Sequence, residues 1–169
     1  MSPDLRDRLL HLNAQLAYGG VEADAAVWLA CDLLLAGVES PAVVELAGES
    51  PTQLRSEEAA ALFEQSLAEL GLPKLSQEQA DWIGYRDVAL DVISGRLTPD
   101  HWACCAAPMG GLGRGEELDA LRAAAVHNPG EVAGQMLELA RDLVRTADER
   151  INSWLPRAAV VGPHLNEQL

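Results

Sequence analysis

His101, Cys104 and Cys105, in the stretch "TPDHWACCAA" (98–107), are the side chains of this sequence best equipped for chemistry. On a helix beginning at Pro99, the histidine stands three residues before Cys104 and four before Cys105, which places all three on one face. Imidazole and thiolate together suit zinc or copper. A complete site needs more ligands. Cys31, His11, His127 and His164 are the candidates, and no Cys-x-x-Cys or His-x-x-x-His pair joins them. The same residues suggest a thiol nucleophile with His101 as its base, but no third residue is evident to orient that base. The plainer reading makes both cysteines small apolar members of a short buried helix.

The glycines that follow, in "MGGLGRGEELD" (109–119), resemble a phosphate loop only in composition. A dinucleotide fingerprint follows a strand, and a P-loop ends in Gly-Lys-Ser/Thr. Here a helix precedes, and Glu116 and Glu117 would repel a phosphate. Gly110, Gly111, Gly113 and Gly115 therefore read as a connector, with the acids at the start of the next helix, where the backbone dipole favours them. In a functional version this loop is a lid or a partner-binding segment. The sequence contains no Gly-x-Ser-x-Gly, His-Glu-x-x-His or Asp-rich calcium loop. Glu57-Glu58, Glu116-Glu117 and Asp148-Glu149 read as solvated helix surface.

Helices must carry all of these residues. Ser2-Pro3, Ser40-Pro41, Ser50-Pro51, Thr98-Pro99 and Asn128-Pro129 each pair a capping side chain with a proline suited to a first helical turn. Ser76 with Gln79, and Asn128 with Glu131, add reciprocal capping boxes. Gly19-Gly20, Gly37, Gly48, Gly71 and Gly95 each follow an apolar run and mark its end. Between these signals lie stripes of helical period. They are Leu5, Leu9, Leu12 and Leu16; Val27, Cys31, Leu34 and Leu35; Ala59, Leu62, Phe63, Leu67 and Leu70; Trp82, Tyr85, Ala89, Val92 and Ile93; and Val132, Met136, Leu139 and Leu143, running on to Ile151. Short helices fit near 41–47, 99–107 and 116–126. No segment alternates as a strand would. The spacing predicts an all-α chain, an irregular or orthogonal bundle of six to eight helices. It forms one domain over 1–169, with Pro73-Lys74 the best place for a hinge between subdomains 1–72 and 74–154. The run 155–169, with Pro156, Gly162 and Pro163, reads as a C-terminal tail.

Composition agrees. Of 169 residues 49% are hydrophobic but only 4% aromatic, so Ala and Leu, the strongest apolar helix formers, dominate. The net charge of −14 argues against binding nucleic acid through its phosphates, which needs a basic surface, and disfavours an anionic membrane face. It suits solubility or steering toward a basic protein partner. Three cysteines without framework spacing, an N-terminus with acids in place of a signal peptide, and no long apolar run predict a cytoplasmic chain with reduced thiols. Among four tryptophans, Trp28, Trp82 and Trp102 read as core. Trp154, after the last long helix, reads as an exposed contact.

"WLACDLLLAGVESPAVVELAG" and "VALDVISGRLTPDHWACCAA" share an apolar helix end, a glycine, Ser/Thr-Pro and a second helix. This joint resembles stretches of small uncharacterised all-helical actinobacterial proteins. Some acidic members lie beside toxin genes and are taken to be immunity proteins. The resemblance implies a non-enzymatic binder and carries over no catalytic residue. The first reading is thus a cytoplasmic module without a cofactor. It presents Glu116, Glu117, Asp119 and Trp154 to a basic protein partner. The alternative is a small-molecule or zinc binder, or a small enzyme, built on His101, Cys104 and Cys105. A third reading is a structural helper, with homodimer formation left open.

Overall fold

The computed structural model describes residues 2–98, 120, 123 and 129–154. Among them are six helices and no strand: α1 (Pro3–Ala17), α2 (Ala23–Leu35), α3 (Pro41–Gly48), α4 (Ser56–Glu69), α5 (Gln77–Ile93) and α6 (Pro129–Trp154). The chain is all-α. The helix expected at 99–107 and the tail from 155 lie outside the described residues. Of 116–126 only Ala120 and Ala123 are described, both helical.

Most boundaries follow from local chemistry. The Ser2 hydroxyl accepts the Leu5 N–H, and the Ser40 hydroxyl accepts the Val43 N–H, each at 3.3 Å. In each case the next residue is proline. Ser76 and Gln79 exchange side-chain and backbone bonds of 3.2 and 2.9 Å ahead of α5. Ser50-Pro51 departs from its expected role. It opens a single turn in which the Gln53 and Leu54 N–H groups share the Ser50 carbonyl, at 3.2 and 3.0 Å. The Ser50 hydroxyl is paired with that of Thr52 instead of capping a helix. The next helix, α4, starts after Arg55, whose N–H donates to the Glu58 carboxylate at 3.4 Å. Gly19, Gly37, Gly71 and Gly95 all take the left-handed conformation where a helix ends. Gly48 does not; it is the last residue of α3.

The described residues divide into two compact units, one made of residues up to Ile83 and from Asn152 on, the other of Gly84 to Ile151. In the first unit α2 is central, packing against α1, α3 and α4, while α3 also packs against α4. Leu5, Leu9, Leu12 and Leu16 of α1 are buried together with Val43, Leu46, Ala59, Phe63 and Leu67. Each leucine so covered contributes about 1.5–3 kcal/mol of burial.

The α2 stripe is rotated from its expected phase. Ala26, Val27, Leu29, Ala30 and Leu33 are buried, Cys31 and Leu34 are half-buried, and Leu35 and Trp28 are exposed. Trp28 is therefore not core. With apolar residues at every position of α2 but Asp24 and Asp32, the neighbouring helices more than periodicity decide which face is covered. Trp82 does lie in the core.

One buried polar side chain ties the unit together. Asn13 of α1, 3% exposed, donates its amide to the Pro73 carbonyl at 3.0 Å and accepts the Leu75 N–H at 3.1 Å. The Pro73-Lys74 segment, the place read as a joint, is thus fastened to α1. In the second unit Val132, Met136, Leu139, Ala140, Leu143, Ala147 and Ile151 make the buried stripe of α6, and Ala89 and Val92 that of α5. Arg86, mostly covered, donates its Nε to Asp148 at 2.6 Å.

Candidate functional site

Three large apolar side chains stand out of the α2–α3 hairpin: Trp28 is 57% exposed, Leu35 86% and Val44 46%. Their placement follows from helix geometry. Trp28 and Leu35 are seven residues apart, two turns along one side of α2, with Cys31 between them at the spacing of neighbours on a helix face. Cys31 is the flank nearest α3, because its thiol donates to the Ala47 carbonyl at 3.7 Å. Val44 precedes Ala47 by three residues, hence on the same side of α3. Trp28, Cys31 and Leu35 on one helix and Val44 and Ala47 on the next therefore form one apolar strip.

The opposite flank of α2 is polar. Asp32 accepts from the Arg8 guanidinium at 2.5 Å, a partly exposed ion pair between α2 and α1. Exposed Asp24 lies one turn before Trp28, and exposed Glu39 follows Leu35 in the connection to α3. Between Arg8 and Arg55 the chain has no lysine or arginine, and it carries Glu22, Asp24, Asp32, Glu39, Glu45 and Glu49. Five of these are exposed and Asp32 is half-buried. The face is apolar along its length and negative at its margins.

The start of α3 is held from α4. Glu69 accepts the Ala42 N–H at 2.8 Å and the Gln65 amide at 2.9 Å. The Ala42 N–H, then the Gln65 amide and the Ser40 hydroxyl, hold its carboxyl below the ordinary glutamate value. This bracing fixes the helix that presents Val44 and Ala47.

His101, Cys104, Cys105, Glu116, Glu117 and Asp119 lie outside the described residues. Trp154 is half-buried at the last residue of α6. Among the described residues no group of three histidine, cysteine or carboxylate side chains could hold a metal ion. In a depression lined by Gln15, Tyr18, Gly20, Val21, Glu22 and Ser56, the Glu22 N–H donates to Gln15 at 3.4 Å and the Tyr18 hydroxyl donates to Asp81. No described helix is long and apolar enough to cross a membrane.

No family model, no curated protein and no solved structure matches the chain.

Periodicity could not reveal the strip. The signal available in the sequence was the gap in cations between Arg8 and Arg55 around a helix that is apolar except for Asp24 and Asp32.

Proposed function

We propose that the chain is a non-enzymatic cytoplasmic binding module that covers a basic protein partner, in the manner of an immunity or antitoxin protein. The observation that carries this reading is the charge: −14 overall, with a long stretch of the first unit lacking lysine and arginine altogether. Such a surface speeds encounter with a cationic partner and rejects anionic ones. Glu116, Glu117, Asp119 and Trp154 belong to the proposed contact set.

The test is affinity capture with the tagged chain from the cells that express it, at low ionic strength. A stoichiometric partner of basic isoelectric point, released by high salt, is the expected result. Reversing Glu116, Glu117 and Asp119 to lysine should reduce its recovery. Retention of no protein in stoichiometric amount, or of an acidic one, overturns the reading.

A further inference from the structure

We infer that the strip of Trp28, Cys31, Leu35, Val44 and Ala47 is the docking face for an amphipathic partner helix that carries arginine or lysine beside its apolar stripe. The inference rests on the proposed binding function and specifies where and what the chain binds. Three observations lead to it.

The first is spacing. Asp24, Trp28, Cys31 and Leu35 follow one another at intervals of four, three and four residues. That is the rhythm of a coiled-coil seam, in which side chains of one helix enter the gaps between those of another. Trp28 and Leu35 stand about 10 Å apart along the axis, the rise of two turns. A partner helix meets them with its own residues at matching intervals, the helix-in-groove mode of recognition.

The second is the identity of the exposed residues. An isolated exposed leucine is ordinary. Here a leucine 86% exposed shares one line with a tryptophan 57% exposed, and Val44 of the adjoining helix widens the strip. Tryptophan is the residue most enriched where binding energy concentrates.

The third is charge, which selects the occupant. Asp24 and Glu39 stand exposed near the two ends of the α2 line, and the hairpin supplies no cation of its own. A second copy of this face would bring the same carboxylates against it. An anionic lipid surface would meet the same repulsion. A helix with basic flanks meets attraction at the margins and burial along the middle.

The test uses a fluorescein-labelled amphipathic peptide of about five helical turns, leucines on one stripe and arginines beside it, and a control with glutamates for the arginines. Binding to the full chain is followed by anisotropy, with Leu35→Asp, Trp28→Ser and the double variant Asp24→Lys/Glu39→Lys. Circular dichroism checks that each variant keeps its helix content. The arginine peptide should bind the unaltered chain, and each variant should weaken it about tenfold or more. The glutamate peptide should bind about tenfold less well or worse. Equal binding to the unaltered chain and to Leu35→Asp overturns the docking face. Equal binding of the two peptides overturns the basic partner. Failure of both peptides to bind at about 100 μM overturns both points of the inference. Sedimentation that finds a dimer which Leu35→Asp dissolves assigns the strip to a second copy and overturns it too. A basic partner captured from cells and indifferent to Leu35→Asp leaves the proposed function standing and removes this face. Capture of none removes the function itself.

Discussion

Asn13 is a buried polar side chain that joins α1 to the segment ahead of α5. Its carboxamide satisfies a carbonyl and an N–H of the segment that leads into α5, and it is itself 3% exposed. Truncation leaves both backbone groups without this partner, and an orphaned buried group costs about 1–3 kcal/mol. Asn13→Ala should lower stability by about 2–4 kcal/mol, read as a shifted urea midpoint; a shift under about 0.5 kcal/mol would show that water replaces the clamp. Glu69 acts through its charge. Its carboxyl is held below the ordinary glutamate value by the Ala42 N–H first. A depressed acid contributes stability that is complete above the unfolded pKa and is lost as pH falls through the folded one. The difference in midpoint between the unaltered chain and Glu69→Ala should be full near pH 7 and shrink as pH drops below the usual carboxylate range. A difference that stays constant through acid would mean that the bond works without its charge.

At the scale of elements, two glycines that look alike in sequence differ in what they do. Gly37 ends α2 with φ +74°, a conformation that opposes any Cβ. Gly48 sits inside the last turn of α3 with ordinary helical backbone and open space where a Cβ would go. Gly37→Ala should destabilise by about 1–2 kcal/mol, and Gly48→Ala should be neutral or stabilise by up to about 1 kcal/mol. Thermal melts of the two variants check the contrast, and equal effects would contradict it. The same contrast marks how far the helices could be read from the chain. The leucines of α1 and the stripe of α6 stand out from polar neighbours, so their buried faces were legible. Ala59, Phe63 and Leu67 were legible for the same reason. In α2 nearly every residue is apolar, periodicity has no phase, and only packing against α1, α3 and α4 decides that Leu29 goes in and Trp28 stays out. The candidate face was hidden by that ambiguity, and Ser50-Pro51 by a hydroxyl that chose Thr52 over a helix N-terminus.

At the scale of the whole molecule, 26 acidic residues against 12 basic ones set two opposite responses to salt. Within the chain the excess carboxylates repel one another, a cost that ions screen. Ion pairs such as Arg8–Asp32 and Arg55–Glu58 are screened as well. Exposed pairs are worth about 0–1 kcal/mol each, too little to reverse the sign set by the surplus charge. Raising sodium chloride from about 20 mM to about 500 mM should therefore raise Tm by a few degrees, on the order of 2–5 °C. Across an interface with a basic helix the carboxylates attract, and the same ions weaken that attraction. Affinity for the arginine peptide should fall over the range in which Tm rises. Melts and anisotropy titrations in the same buffers measure both. A falling Tm would mean that local ion pairs outweigh the global repulsion. An affinity that does not change with salt would mean that the strip binds by burial alone, with its acidic margins taking no part.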